Sequence, residues 1–184
     1  NVSLNSCSLC SLIHLKSRPT HHDFGSMLVN TTAEFSFTFS SSDNITVGLA
    51  YIPTRDVGSK SRTDSNSLGD SGTYKAEAEW DNVVQIYADI PFGEFQGYNV
   101  YGKVGLQHAT IATLESLNSG STYPDQDVYG FTVGFGTKGD LPFGNNLYYK
   151  GEVTYTNFES YEADGAGNKV TADLEDYAAR IAIG

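Results

Sequence analysis

From about residue 31 to the end of the chain, apolar and polar residues alternate. In the clearest run, Tyr129, Phe131, Val133 and Phe135 are separated by single glycine or threonine residues. Strict alternation is typical of a strand with one apolar and one polar face. Seven predicted strands follow from it, lying within residues 33–39, 45–51, 74–90, 98–107, 129–136, 147–156 and 176–183. The pattern predicts an all-β fold.

The connections between these strands alternate in length. The short ones, rich in turn residues, are 41–44, 91–97 and 139–146. The long ones, rich in Ser, Gly, Asp and Thr, are 53–73, 116–127 and 160–170. A meander with one short-looped and one long-looped end is typical of outer-membrane barrels. The rhythm predicts an antiparallel up-and-down transmembrane β-barrel of about eight strands, with short periplasmic turns and long extracellular loops.

Two features favour lipid, and not a protein core, as the neighbour of the apolar face. Several predicted strands reach about 10–16 residues, longer than typical soluble strands and sufficient for a tilted membrane span. Aromatic residues also collect toward both ends of the apolar stripes, as in the aromatic girdles of membrane barrels. The predicted lipid-facing and interfacial aromatics are Tyr51, Trp80, Tyr98, Tyr129, Phe131, Phe135, Tyr149, Tyr155 and Tyr177.

The polar face carries charges of both signs, which would point into a narrow lumen. The interior of an eight-stranded barrel is just filled by side chains, and unpaired charge there is costly. We therefore expect a fixed charge network that plugs the lumen, with a narrow, gated, cation-preferring pore as the alternative. The predicted network members are Lys103, Glu152, Arg180, Lys150, Asp176 and Glu77, and Glu34, Glu79 and Asp89 share their face.

Residues 1–30 are the hardest part of the chain to interpret, and residues 31–184 form the predicted barrel domain. Bacterial single-chain barrels have an even number of strands. Seven predicted strands therefore require an eighth, either within residues 1–30 or outside this chain. Cys7 and Cys10 also lie in this segment as a C-x-x-C pair. Because no histidine arm of suitable spacing follows them, we predict no metal site.

Composition and motifs limit the function further. The chain of 184 residues has 11 Lys and Arg against 22 Asp and Glu, a net charge of −11, and shows no basic stripe that would bind nucleic acid. No apolar run approaches the roughly 18–20 residues of a membrane-spanning helix. No nucleophile elbow or catalytic triad can be assembled, and His108 is expected at the membrane interface. We therefore predict no enzyme activity and no cofactor.

Four strand segments resemble those of small outer-membrane barrels. They are N-I-T-V-G-L-A-Y-I-P (44–53), N-V-Y-G-K-V-G-L (99–106), Y-G-F-T-V-G-F-G (129–136) and D-Y-A-A-R-I-A-I-G (176–184). The chain is similar to the opacity-protein and outer-membrane-protein-A-like barrels of Gram-negative bacteria. The resemblance implies insertion in the bacterial outer membrane with both termini periplasmic. Such barrels usually finish on an aromatic residue, whereas this chain stops at Ile183-Gly184, so truncation at its ends is the expectation.

These observations predict a non-enzymatic outer-membrane protein whose barrel anchors the connections 53–73, 116–127 and 160–170 at the cell surface. Outer-membrane lipid is the expected partner of the wall, and a surface ligand or partner would bind those connections. The alternative from another class is a soluble lipocalin-like barrel that binds an apolar ligand inside. The two hypotheses differ in where four side chains point, into lipid or into a cavity: Val104, Phe131, Val153 and Ile181.

Overall fold

A computed structural model describes most of the chain, in stretches with gaps between them. The described stretches are residues 2–17, 28–40, 45–64, 72–116, 124–141, 147–165 and 168–183, with side chains described for 45–56, 77–113, 124–141, 147–163 and 171–183. The strands are β1 (Val2–Ser17), β2 (Leu28–Ser40), β3 (Thr46–Ile52), β4 (Arg55–Asp64), β5 (Gly72–Phe95), β6 (Tyr98–Ser116), β7 (Gln126–Asp140), β8 (Tyr148–Phe158), β9 (Tyr161–Gly165) and β10 (Asn168–Ile183). A helix long and apolar enough to cross a membrane does not occur among the described residues.

The strands form one antiparallel sheet that returns to its first strand. β1, β2, β3, β5, β6, β7, β8 and β10 pair in that order, and β1 also pairs with β10 over the register from Cys7–Ala182 to Ser17–Ala172. The pairings make a ring of eight strands, so the predicted antiparallel up-and-down barrel is confirmed. β1 occupies the position of the eighth strand and lies within residues 1–30, where the alternation pattern was least clear.

The two ends of the barrel are built differently. At one end, β5 and β6 are joined through Gln96 and Gly97 alone, whose φ values of 51° and 84° suit the tight turn of a two-residue hairpin. At the other end the wall is extended, because β4 pairs with β5 and β9 pairs with β10. This longer side is called the extended end below, and the opposite side the short-turn end.

The extended end corrects the predicted connections. Most of the predicted loop 53–73 is β4 and the start of β5, part of the loop 160–170 is β9 and the start of β10, and most of the short connection 91–97 is the end of β5. A two-stranded extension pairs its backbone groups by hydrogen bonds and can do so with polar side chains on both faces. It therefore lacks the alternation from which the strands were predicted. Residues 65–71, 117–123 and 166–167 of the long connections lie outside the described residues.

The apolar face of the barrel wall is on the outside. On β6, Val104 and Leu106 are 40% and 62% exposed, whereas Lys103 and Gln107 are 2% and 1% exposed. The four side chains that separate the two hypotheses all lie on this outer face, between 40% and 70% exposed: Val104, Phe131, Val153 and Ile181. The lipocalin-like prediction, in which these side chains line a cavity, is therefore wrong.

Apolar side chains also collect inside the barrel, in the half nearer the extended end. They are Ile52, Trp80, Val83, Ala109, Ile111, Val128, Phe158, Tyr161, Ala163, Leu174 and Ala178, and together they are called the apolar chamber below. The chamber includes Trp80, which was predicted at the lipid interface and is 1% exposed inside the barrel. A register shift between Asp81 and Val84, with Asn82 at φ 50°, reverses the inward phase of β5 and turns Trp80 inward.

Candidate functional site

Five charged side chains, four of them buried and Lys150 half-buried, form a cluster in the half of the lumen nearer the short-turn end. They are Asp89 of β5, Lys103 of β6, Lys150 and Glu152 of β8, and Arg180 of β10, and they are called the charge cluster below. Glu152 is its centre, with carboxylate oxygens 3.1 Å from Lys103 Nζ, 3.3 Å from Lys150 Nζ and 3.1 Å from Arg180 Nη1. Asp89 lies 2.8 Å from Lys150 Nζ and 3.4 Å from Lys103 Nζ.

Strand register brings these residues together. Asp89 pairs directly with Lys103 across β5 and β6, and Glu152 pairs directly with Arg180 across β8 and β10. Directly opposite residues of antiparallel strands point to the same face, here the lumen. Because β7 lies between β6 and β8 in the ring, the contact of Lys103 with Glu152 crosses the interior between strands that are not neighbours. The charge cluster therefore ties together strands that share no backbone pairing.

Two tyrosines complete the charge cluster. The Tyr101 hydroxyl donates a hydrogen bond of 2.8 Å to Glu152, and Lys103 Nζ lies 3.3 Å from the centre of the Tyr87 ring, a cation–π contact. Each ring occupies space left by the glycine opposite it on the neighbouring strand, since a Cβ at Gly48 would clash with Tyr87 and one at Gly136 with Tyr101. The alternation pattern shows these glycines but not which ring each of them accommodates.

A layer of uncharged polar side chains lies between the charge cluster and the apolar chamber. Gln85 Nε2 donates to Thr132 Oγ1 at 3.0 Å, and Thr132 and Thr156 share a hydrogen bond of 2.8 Å between their hydroxyls. Gln107 accepts from Gln85 at 3.4 Å, and all four side chains are 2% exposed or less. From the short-turn end upward, the interior thus runs from charged to polar to apolar.

The structure places the six predicted network members at three different sites. Lys103, Lys150, Glu152 and Arg180 meet in the charge cluster as described. Asp176 instead accepts a hydrogen bond of 3.1 Å from Arg55 Nη2 of β4. The register sets Glu77 opposite Ser59 and Leu114, twelve residues from Asp89 along β5 and about 40 Å away at the usual rise. The prediction that Glu77 joins the charge cluster is therefore wrong.

Sequence reasoning missed Arg55, because it lies in a segment that reads as a solvated loop. Arg55 is 3% exposed and begins β4, where it pairs with Trp80 in register. Its guanidinium and the Asp176 carboxylate form a buried ion pair among the side chains of the apolar chamber. The signal that could have revealed Arg55 is its spacing. It follows the inward-facing Ile52 by three positions, and the strand-breaking Pro53 lies between the two.

The predicted outer aromatics, Trp80 apart, lie on or near the outer face. Near the extended end, the Tyr155 and Tyr177 rings lie 4.9 Å apart at a tilt of 45°, and Tyr129 lies 5.0 Å from the ring of His108. Near the short-turn end, Tyr98 and Tyr149 meet edge-on at 6.3 Å. Three others are exposed by 41%, 54% and 63%, respectively: Tyr51, Phe131 and Phe135. Aromatic pairs thus occur at two levels of the outer wall.

The polar groups near the outer aromatics form a small group around Asp127. His108 Nε2 lies 3.5 Å from Asp127 Oδ1, and the Thr110 hydroxyl donates to the same carboxylate at 2.7 Å. Asp127 is exposed, so this contact is a surface hydrogen-bond group. Within the part of the chain that the structure describes, no three His, Cys, Asp or Glu side chains come together as metal ligands.

Comparison with known proteins finds matches among solved structures alone. No protein-family model and no curated protein matches the chain. Outer membrane protein AlkL, solved by solid-state NMR in DMPC lipid bilayers, is 16% identical, covers 100% of this chain and 86% of its own, and gives a TM-score of 0.44. Ail, the attachment invasion locus protein of Yersinia pestis, is 13% identical, covers 97% of each chain and gives a TM-score of 0.46.

Proposed function

We propose that this chain is an integral outer-membrane barrel that has no enzyme activity and that anchors surface-exposed connections. One observation carries the proposal, namely the inverted polarity of the wall. Ile181 and Phe135 are 70% and 63% exposed on the outside, while Lys103, Asp89 and Glu152 are 7% exposed or less on the inside. A barrel in water would gain free energy by the opposite arrangement, whereas a barrel in lipid requires this one.

The outer apolar surface is continuous over several neighbouring strands. A shallow groove in it, between β3, β5, β6 and β7, is lined by Val47, Ile86, Val104, Leu106 and Phe131. Soluble monomers rarely expose contiguous apolar patches larger than a few hundred Å². Acyl chains would cover this surface in a membrane, and the ring of paired strands leaves no open backbone edge in the wall at that depth.

The interior supports an anchoring role more than a conducting one. In the charge cluster, three cations and two carboxylates contact each other directly at 2.8–3.4 Å. Such a cluster fills the lumen of a small barrel and fixes its strands, so we expect no steady ion flow. Recognition would then belong to the connections 53–73, 116–127 and 160–170, in the manner of the opacity-protein-like barrels that the strands resemble.

Refolding with and without detergent micelles tests the proposal. The expected result is a β-rich species that forms with detergent and migrates differently on a gel before and after boiling. A monodisperse, folded protein in plain buffer would overturn the membrane assignment. Single-channel recording in planar bilayers then tests the plug, because persistent open events for the unmodified chain would support the narrow-pore alternative.

A further inference from the structure

The alternation of inward and outward side chains is interrupted at matching places in two neighbouring parts of the wall. These two breaks turn Arg55 and Trp80 into the lumen side by side. In β5, Asp81 and Asn82 separate the inward-facing Val83 from the inward-facing Trp80. In the adjacent strands β3 and β4, Pro53 and Thr54 likewise separate the inward-facing side chains of Ile52 and Arg55. Thr54 Oγ1 donates to Asp81, which also accepts from the Asn82 backbone N–H at 3.0 Å. The breaks are therefore held together, and bulges of this kind re-aim side chains.

The two re-aimed side chains carry hydrogen-bond donors that are buried and unused. Among the described residues, no acceptor lies within hydrogen-bond distance of Arg55 Nε, Arg55 Nη1 or Trp80 Nε1. Arg55 is 3% exposed and Trp80 is 1% exposed. Buried donors are nearly always paired, because an unpaired one loses its bond to water without replacement. Three unused donors on two neighbouring side chains therefore favour an acceptor oxygen, which would reach them by displacing the side chains that now cover them.

The surroundings of these donors are apolar. The Trp80 and Phe158 rings lie 4.6 Å apart, and Ile111, Val128 and Leu174 belong to the same chamber. A ligand that fits here presents hydrocarbon to these walls and an oxygen to the donors. Asp176 already balances the charge of Arg55 at 3.1 Å. A second anion would leave a net negative charge buried among apolar side chains, so an uncharged acceptor fits better.

We propose that the apolar chamber is a binding site for an uncharged, mainly hydrocarbon molecule that carries an acceptor oxygen, such as an ester, ketone or lactone. Arg55 and Trp80 would donate to that oxygen, and the hydrocarbon would pack against Phe158, Ile111 and Leu174. The ligand would enter from the extended end, where β9 contributes Tyr161 and Ala163 to the chamber. This site does not depend on the location of the barrel, since it uses interior contacts alone.

Fluorescence quenching tests the proposal directly, because Trp80 is the chain's single tryptophan. The full chain is refolded into phosphatidylcholine nanodiscs, or kept in buffer if it folds there, and titrated with methyl 2-bromodecanoate. The comparison probes are 1-bromodecane, which lacks an acceptor oxygen, and 2-bromodecanoate, which is charged. We expect saturable quenching by the ester, with an apparent affinity about tenfold or more above that of either comparison probe.

Two variants separate binding in the chamber from partition into lipid. In Trp80→Phe/Tyr129→Trp the tryptophan lies on the outer face, so its quenching reports the probe dissolved in lipid. In Arg55→Met/Asp176→Asn both charges are removed together, and ester affinity is expected to fall about tenfold while bromodecane quenching stays unchanged. Quenching of Trp80 that rises linearly, as for the outer tryptophan, would overturn the proposal. Equal affinity for ester and bromodecane would overturn it too, and that comparison decides the matter even if the double variant does not fold.

Discussion

Replacing Glu152 by Gln tests whether the charge cluster holds the barrel together. Glutamine keeps the size and one oxygen of the side chain but removes the charge that faces three cations at 3.1–3.3 Å. Removing one partner of a buried ion pair costs about 3–5 kcal/mol, because the remaining charge stays buried without compensation. Here Asp89 still contacts Lys103 and Lys150, and Thr154 still accepts from Arg180 at 3.0 Å. We therefore expect the lower limit, a loss of about 3 kcal/mol, or roughly a 150-fold shift of the unfolding equilibrium.

Urea titration of the refolded protein measures this loss, with Trp80 fluorescence and gel mobility as independent probes of unfolding. Glu159→Gln is the matched control, since Glu159 is exposed and the same substitution there should change the free energy of unfolding by less than about 0.5 kcal/mol. The double variant Glu152→Gln/Lys103→Met removes one uncompensated cation together with the carboxylate. It should be more stable than Glu152→Gln alone, and a double-mutant cycle gives the coupling between the two side chains.

A loss for Glu152→Gln no larger than that of the Glu159 control would refute this reasoning. The lumen at that level would then be hydrated, with water screening the cations after the carboxylate is gone. Such a result would favour the narrow pore over the plug. Planar-bilayer recording of the same variant is an independent check. Loss of a plug raises conductance above that of the unmodified chain, whereas loss of one charge in an open pore changes mainly its ion selectivity.

Three further predictions test the packing, the outer face and the extended end. Gly48→Ala should cost about 1–3 kcal/mol in urea unfolding, because the new Cβ clashes with the Tyr87 ring, while Gly151→Ala, which meets no neighbouring atom within 4 Å, should cost much less. Val104→Arg should cost about 2–4 kcal/mol in lipid vesicles, and a cost under about 0.5 kcal/mol would place that face in water. Partial burial and neighbouring carboxylates raise the pKa of Glu79, so the folded extension binds this proton more tightly than the unfolded chain and loses stability as pH rises. Hydrogen exchange in β4 and the start of β5, corrected for intrinsic rates, should show more protection at pH 5 than at pH 7, and Glu79→Gln should abolish the difference.

The barrel itself could be predicted from sequence because its signal is local. On β7 the residues from Tyr129 to Phe135 alternate between large apolar side chains and glycine or threonine, and the same positions alternate between outside and inside in the structure. A period of two needs no knowledge of the neighbouring strand. The short turns are equally local, since glycine at the hairpin tip permits the positive φ that a tight turn requires.

The partners within the lumen could not be predicted in the same way. Alternation puts Lys103, Glu152 and Asp176 on one face but says nothing about their heights along the barrel. Height depends on register, and register accumulates over several strand pairs around the ring. The result is that Glu152 meets Lys103, while Asp176 of β10 lies beside Arg55 in the apolar chamber, beyond the uncharged polar layer. Arg55 itself belongs to a polar segment in which no alternation marks the inner face.

Trp80 shows how a single local irregularity reverses an assignment made from a long pattern. Counting back by twos from Ile86 through Val84 puts Trp80 on the lipid side. An interfacial tryptophan is also what a membrane barrel leads one to expect. The shift at Asp81 and Asn82 breaks the count, and the indole goes inside. Asparagine tolerates the positive φ of 50° found at Asn82 better than most residues. That tolerance permits a bulge without requiring one, so the sequence alone could not fix the phase.

The two ends of the barrel interior differ in the strands that build them. The charge cluster joins β5, β6, β8 and β10 near the short-turn end, where Lys103 contacts Glu152 and Lys150 contacts Asp89 between strands that share no backbone pairing. The chamber at the other end is built in part from β4 and β9, which are extensions paired to β5 and β10. Arg55, Tyr161 and Ala163 reach the lumen from those extensions. Any displacement of β4 or β9 would therefore carry chamber side chains with it, whereas the charge cluster contains no residue of either extension.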